Sequence, residues 1–188
     1  MGLFVTEITE IDPAENTFEM EGFLDMTWCD PRLAFTPEEM RVETEMFLEH
    51  DAERKLERIW WPDIEMVNQA IPRQIENEEL LIYQDGIVEY REKFQARLAT
   101  DFNMRRLPFD TQTLLVEIES FAWSGENLQF VVEEEMVGFS SEFTIPEWEV
   151  IEVEEHLAEK LEARHRAPFS ELVAEITVKR KYRPGKQD

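Results

Sequence analysis

Hydrophobic and polar side chains alternate along several short stretches of the chain, with the period of two that is typical of a β-strand buried on one face. The clearest case is residues 17–28, where one face is mostly polar and the other is apolar. The apolar face carries Phe18, Met20, Leu24, Met26 and Trp28. This alternation predicts a half-buried strand.

A hairpin is predicted at residues 80–90, because two apolar stretches flank Asp85-Gly86, a pair that tolerates the positive φ of a tight turn. Further strands are predicted at residues 94–104, 113–123, 128–133, 148–154 and 171–182. Many short strands at close spacing favour an all-β fold, an antiparallel immunoglobulin-like sandwich of about ten strands. We expect one domain over residues 1–182, followed by a disordered tail at residues 183–188.

Two stretches have helical features instead. Thr36-Pro37-Glu38-Glu39 combines a capping-box pattern with proline at the first helical position, which predicts a short helix or helical loop between residues 36 and 58. Residues 154–166 are rich in Glu, Leu, Ala, Lys and Arg. Propensity alone predicts an amphipathic helix there, ended before Pro168.

The charge balance of the chain is strongly acidic. Its 188 residues include 43 Asp and Glu against 19 Lys and Arg, a formal net charge of -24. Such a charge repels nucleic acid and concentrates cations near the surface, although it is equally consistent with simple solubility. Cys29 is the single cysteine, so no disulfide can form within the chain. The sequence as written has no signal peptide and no apolar run of roughly eighteen residues, and it is expected to be soluble.

Motifs for catalysis or metal binding are missing from the sequence. The acidic clusters lack EF-hand spacing, no two histidines are four residues apart, and there is neither a Gly-x-Ser-x-Gly motif nor a phosphate-binding glycine loop. We therefore expect no enzymatic activity, no cofactor and no metal site.

Three segments carry a resemblance to one family. They are residues 22–35, which contain Trp-x-Asp-x-x-Leu, residues 59–68, which contain Trp-x-Pro-Asp-Ile-x-x-x-Asn, and residues 85–112, which contain Pro-Phe-Asp. In this order they resemble the extracellular ligand-binding domain of pentameric ligand-gated ion channels, the Cys-loop receptor superfamily, and its prokaryotic members in particular. The two cysteines of animal receptors correspond to Thr100 and Leu114, so the loop is kept without its disulfide, as in bacterial members.

This resemblance implies a homopentamer on the extracellular or periplasmic side of a cell membrane, joined to its own transmembrane domain. It implies a small-molecule ligand at the subunit interfaces. The acidic composition favours a cation-selective pore. Two alternatives stay open: a soluble, channel-free binding protein of the same fold, and an unrelated acidic sandwich that binds carbohydrate or calcium.

Aromatic and acidic side chains share the polar faces of two predicted strands. On residues 17–28, Phe23 lies among polar neighbours that include Asp25, and on residues 113–123, Glu119 shares a face with Phe121 and Trp123. Aromatic ring faces with a counter-charge are what a cation site requires. The alternative interpretation is that aromatic residues simply suit strands.

By the resemblance, the ligand site is built from two neighbouring subunits. One subunit would contribute Phe121, Glu119, Trp123, Glu65 and a capping loop that carries His165 or Phe169. The next subunit would contribute Phe23, Asp25, Glu89 and Arg91. Such a set favours a small primary amine as ligand. Gating by protons or modulation by divalent ions is the rival hypothesis, because like-charge neighbours raise the pKa of carboxyl groups.

Arg180 extends the apolar face of the last predicted strand, which is formed by Leu172, Ala174, Ile176 and Val178. A guanidinium on a core face needs a carboxylate, unless its stem reaches water at the end of the domain. The resemblance implies that Asp110 and Asp12 are its partners, and that this cluster couples the domain to the pore.

Overall fold

Two facing sheets form the protein, whose computed structural model describes residues 1–140, 145, 147–162 and 167–181. The strands in that part of the chain are β1 (Gly2–Asp12), β2 (Thr17–Cys29), β3 (Thr44–Leu48), β4 (Ile64–Met66), β5 (Gln69–Tyr83), β6 (Ile87–Ala99), β7 (Thr111–Ser120), β8 (Gly138–Phe139), β9 (Trp148–Glu162) and β10 (Ala167–Arg180). The six-stranded sheet has the order β3-β5-β6-β2-β1-β8, and the four-stranded sheet has the order β4-β7-β10-β9. The predicted all-β sandwich is confirmed. The predicted tail at residues 183–188 lies outside the described residues.

Strand β2 shows how alternation in the sequence becomes two different faces. Phe18, Met20, Leu24 and Met26 are at most 3% exposed and point into the sandwich, as predicted. Their counterparts on the facing sheet come from β7 and β10, and the two inner faces together form one hydrophobic core. The opposite face of β2, which carries Phe23, is therefore the outward face of the six-stranded sheet.

The predicted hairpin joins β5 to β6. Gly86 adopts a φ of 83°, a left-handed conformation that costs glycine little, and its carbonyl accepts a hydrogen bond of 2.9 Å from the Asp30 amide. A Cβ at this position would lie 2.6 Å from the Asp30 carbonyl oxygen, so both the backbone angle and the space require glycine.

In the four-stranded sheet, β7 pairs antiparallel with β10 and places Ile118 opposite Leu172. Leu114, Val116 and Ile118 are fully buried, so the predicted apolar face of this strand is confirmed. The outward face of the same strand carries Glu117 and Glu119.

Several predicted elements differ from the structure. Residues 154–166 were expected to be helical, but β9 is a strand through Glu162, because its pairing with β10 along the whole strand outweighs local helix propensity. Residues 128–133 form no strand, although Phe130 is buried in the core. Strands β6 and β7 end at Ala99 and Ser120, earlier than predicted. Strand β8 pairs with β1 in parallel, an exception to the antiparallel pattern.

The short helical segment expected between residues 36 and 58 is present. Helix α1 (Pro37–Met40) starts with the proline, and helix α2 (His50–Leu56) follows β3. Ala52 and Leu56 of α2 are buried against the sandwich, so the helix closes one end of the core.

Candidate functional site

A row of three carboxylates crosses the outward face of the four-stranded sheet. Glu65 on β4 lies directly opposite Glu119 on β7, and Glu119 lies directly opposite Glu171 on β10. Directly opposed residues on neighbouring strands have Cβ atoms about 4.5–5.5 Å apart, a spacing at which like charges repel. Glu119 and Glu171 are only 2% and 6% exposed. This carboxylate row therefore attracts positive charge.

Lys160 on β9 supplies one positive charge to the row. Its Nζ lies 3.4 Å from Glu171 Oε1. Partial burial would lower the pKa of Lys160, but the carboxylates of Glu171, Glu117 and Glu119 outweigh this effect and raise the pKa. An ammonium group is thus stabilised at the edge of the carboxylate row.

Two of the predicted aromatic residues flank this row. Phe169 lies directly opposite Lys160 and is 3% exposed, whereas Phe121 follows the end of β7 and is 54% exposed. The Phe121 amide donates to the Asp63 carbonyl at 2.7 Å, which fixes its backbone beside β4. Among the aromatic residues predicted for the site, Phe121 is the one whose side chain is exposed to solvent. His165 lies outside the described residues.

Trp123 does not share the outward face, contrary to the alternation predicted for residues 113–123. Ser120 ends the strand, because its Oγ donates to the Pro62 carbonyl at 2.6 Å and accepts from the Trp123 amide at 3.0 Å. The Trp123 indole Nε1 donates to the Trp61 carbonyl at 3.0 Å, and its ring contacts Trp60 at a centroid distance of 5.8 Å. These contacts make Trp123 part of an aromatic cluster that holds the loop before β4.

The second group of predicted residues lies on the six-stranded sheet. Phe23 is directly opposite Phe4 on β1, and both line an open pocket of about 270 Å³ together with Asp25 and Arg91. Arg91 Nε donates to Asp25 Oδ1, so these two charged groups neutralise each other, and Glu135 adds a further acidic side chain to the pocket. Glu89 is a neighbour of the pocket and accepts a 2.9 Å hydrogen bond from the Tyr83 hydroxyl.

Because the carboxylate row and the Phe23 pocket are on the outward faces of different sheets, they do not meet within one chain. The row belongs to β4, β7 and β10. The pocket is lined by β1, β2 and β6 and by Glu135 and Met136, which precede β8. The two faces are separated by the thickness of the sandwich, about 10 Å between sheets plus the outward side chains.

Arg180 is paired with Asp110, as the sequence led us to expect. Its Nε lies 2.7 Å from Asp110 Oδ1, and its guanidinium stacks 4.1 Å from the Trp148 ring centroid. Burial would raise the pKa of Asp110, but hydrogen bonds from Arg180 and Gln112 outweigh burial and lower the pKa.

The expected contact between Arg180 and Asp12 is not observed. Asp12 Oδ1 instead accepts hydrogen bonds from the amides of Ala14 and Glu15, so it caps the turn that follows β1. The second carboxylate near Arg180 is that of Glu147, at 3.8 Å.

A buried polar network on β5 and β6 was not predicted from the sequence. Arg73 Nε donates to the fully buried Glu92 at 2.7 Å, and the Tyr90 hydroxyl lies 3.0 Å from both Glu92 and Glu78. Burial raises the pKa of Glu78, against the opposing effect of its hydrogen bond with Tyr90. Alternation places Tyr90 and Glu92 on the core face of β6. Because a carboxylate on a core face needs a partner, Glu92 is the residue from which this network could have been predicted.

Phe4, Glu171 and Lys160 are also candidate site residues that sequence reasoning missed. Each of them is recognisable only through strand register, because its partner lies on another strand. No helix in the described part of the chain is both long and apolar enough to cross a membrane.

The two facing sheets place the chain among all-β sandwich domains. The family model of the neurotransmitter-gated ion-channel ligand binding domain matches residues 1–182. The chain belongs to this family, which confirms the resemblance seen in the sequence.

Three relatives support this assignment. The chain is 30% identical over 149 residues to a proton-gated ion channel of Gloeobacter violaceus, covering 79% of this chain and 40% of that protein. It is 27% identical over 132 residues to the theta subunit of a mouse gamma-aminobutyric acid receptor, covering 68% and 20%. It is 23% identical over 193 residues to a serotonin-gated chloride channel of Caenorhabditis elegans, covering 96% and 36%. The chain therefore spans less than half the length of these relatives.

Proposed function

We propose that this chain is the ligand-sensing domain of a homopentameric ligand-gated ion channel, on the extracellular or periplasmic side of a cell membrane. It binds a small cationic amine between neighbouring copies and transmits binding to a cation-selective pore. It has no catalytic role and uses no cofactor. A channel-free binding protein of the same fold is the alternative.

The carboxylate row is the observation that carries this proposal. Three acidic side chains opposed on adjacent strands, two of them nearly inaccessible to water, create a strongly negative field at the sheet surface. A primary amine matches Lys160 in charge and in hydrogen-bond donors, so the ligand ammonium would compete with the lysine for the same carboxylates. Phe121 offers an exposed ring face beside them.

The Phe23 pocket supports the placement of the ligand between copies. It offers two ring faces, those of Phe23 and Phe4, on a surface that cannot reach the carboxylate row of its own chain. A neighbouring copy that sets this pocket against the row would enclose an ammonium group between rings and carboxylates. Excluding water in this way strengthens each of these interactions.

Coupling to the pore is proposed for the cluster around Arg180. The ion pair joins the end of β10 to the loop before β7. The same loop exposes Met104, Leu107 and Phe109, which are 42%, 48% and 65% accessible in this domain. A loop tip that exposes apolar side chains and is held by a buried ion pair is suited to contact a membrane-spanning partner and to transmit movement of β10.

Isothermal titration of the assembled protein with a small primary amine such as propylamine tests the ligand site. Glu119→Gln is expected to weaken binding about tenfold or more, because a hydrogen bond to a charged group contributes roughly 1.5–3 kcal/mol. Lys160→Met is expected to strengthen binding, because the competing ammonium is removed. Phe23→Ala is expected to weaken binding about 2- to 30-fold through the loss of a cation–π contact.

Glu152→Gln is the matched control, since Glu152 is an exposed acid on the outward face of β9, opposite Thr177. That position is roughly 20 Å along β10 from Glu171, at about 3.4 Å per residue. Equal affinities of the Glu119 and Glu152 variants would refute the carboxylate row as the ligand site. A normal affinity of the Phe23 variant, with a weakened Glu119 variant, would place the site within one chain.

A second candidate function is a response to protons. Two observations favour it: the Gloeobacter relative is named a proton-gated ion channel, and burial raises the pKa of Glu78 within its hydrogen-bonded network with Tyr90. A carboxyl group with a raised pKa changes its charge closer to neutral pH than an exposed one does.

A further inference from the structure

The Glu155 side chain, in the four-stranded sheet, points inward rather than outward. Glu155 lies on β9 opposite Ala174 of β10, and this pair falls on the same face as the pair of buried Ile176 and partly buried Val153 two residues away. The neighbours of Glu155 on that face are therefore apolar. A carboxyl group in such a place is costly to ionise.

Glu155 connects the two sheets. Its Oε1 accepts a 2.8 Å hydrogen bond from the Leu3 amide, at the start of β1 in the six-stranded sheet. Its Oε2 is buried and has no hydrogen-bond partner among the described residues. One oxygen therefore ties the β9–β10 hairpin to β1, while the other is placed where a neutral hydroxyl is tolerated better than a charged oxygen.

Among the described residues, few charged groups face this carboxyl. The Met1 amino group, just before β1, acts on it. That amino group donates to the Val131 carbonyl at 2.7 Å and lies 3.5 Å from Glu133. The nearest acid on the same face of β9 is Glu159, which is exposed, and the facing positions of β10 are apolar. Desolvation raises the pKa of Glu155 to about 7, against smaller lowering effects of the Leu3 amide and the Met1 amino group.

We propose that Glu155 is a proton-operated latch, which holds the β9–β10 hairpin against strand β1 when protonated and loosens it when ionised. Protonation takes one proton from solvent and leaves a neutral acid that fits its apolar surroundings. Ionisation leaves a charge on a half-buried side chain with one hydrogen bond, and a movement of β9 away from β1 would expose the buried Oε2 to water. The latch deepens the proton-response proposal above and rests on it for its role in a channel.

The latch would also change the candidate ligand site. The same hairpin carries Lys160, Phe169 and Glu171, so a movement of β9 relative to β1 alters how these side chains are presented. Low pH would thus hold the carboxylate row in one arrangement. At neutral to alkaline pH, movement of β9 would allow other arrangements.

The expected pH dependence follows from the sign of the shift. The pKa is raised in the folded state, so the stabilisation is fully present below the unfolded value of 4.5 and is lost as the pH rises through about 7. Between pH 5.5 and pH 8, the open fraction of the hairpin is expected to increase on the order of tenfold.

Hydrogen–deuterium exchange of the full chain tests the latch. Protection of the Leu3 amide and of the β9 amides, corrected for the intrinsic exchange rate at each pH, is expected to fall about tenfold from pH 5.5 to pH 8. In Glu155→Gln, which keeps the shape without the titration, this fall is expected to disappear. Glu154→Gln, which changes an exposed neighbour on the other face of β9, is expected to behave like the wild type.

A direct measurement keeps the proposal testable if Glu155→Gln does not fold. In carboxyl ¹³C NMR of the wild-type chain, the signal of Glu155 should titrate near neutral pH. The amide proton signal of Leu3 should shift over the same pH range. Protection that is constant with pH in the wild type, or that still falls in Glu155→Gln, would overturn the latch. These experiments measure the domain alone and not the opening of a channel. A failure of the latch is therefore distinguishable from a failure of the proton-response proposal.

Discussion

Replacing Arg180 with methionine is expected to lower the free energy of unfolding by about 3–5 kcal/mol, because it leaves a buried carboxylate without its partner. Asp110 is 1% exposed and has hydrogen bonds to Arg180 and Gln112. Methionine keeps an apolar chain against the Trp148 ring, so the loss is one of charge rather than of packing. Urea unfolding at pH 7 measures the difference.

Two further variants separate this effect from a general weakening. Arg91→Met breaks the ion pair with Asp25 on an exposed face, where Arg91 is 55% accessible, and is expected to cost less than about 1 kcal/mol. Adding Asp110→Asn to Arg180→Met is expected to recover part of the stability, because an amide is cheaper to bury than an unpaired charge. A loss below about 1 kcal/mol in Arg180→Met would mean that Asp110 is solvated in solution.

Replacing Arg73 with methionine is expected to cost a similar amount, about 3–5 kcal/mol, since Glu92 would then be buried without its cation. Glu92 is 0% exposed, and Arg73 contacts both of its oxygens, at 2.7 and 3.2 Å. Urea unfolding at pH 7 measures the loss.

Arg97→Met is the control for this second variant. Arg97 lies on the same strand as Glu92, is 33% exposed, and is 3.8 Å from Glu19 on the outward face. Its loss is expected to change stability by less than about 1 kcal/mol. Equal losses in the two variants would contradict the account of the buried network.

The parts of the fold that depend on neighbouring residues could be predicted from the sequence. Alternation defines the two faces of β2, and Asp85-Gly86 defines the turn between β5 and β6, because both signals are local. The ion pair of Arg180 with Asp110 could be expected for a different reason. A guanidinium on a core face requires a carboxylate, and the resemblance indicated which one.

The parts that depend on pairing between distant strands could not be predicted. Local propensity favours a helix at residues 154–166, and only the partner strand β10 makes β9 extended. Likewise, Lys160 and Glu171 join Glu119 only through the register of three strands. Trp123 was misplaced because one side chain, Ser120, ends β7 three residues earlier than the alternation suggested.

The central claim is that neighbouring copies set the Phe23 pocket of one chain against the carboxylate row of the next. Cysteine cross-linking of the assembled protein tests it most directly, with Phe23→Cys and Phe121→Cys in a Cys29→Ser background, because Cys29 is exposed and would react. A short bis-maleimide should link different chains into a ladder that ends at five, while either single variant gives no ladder. A double variant that stays unlinked, or that forms only links within one chain, would contradict the claim.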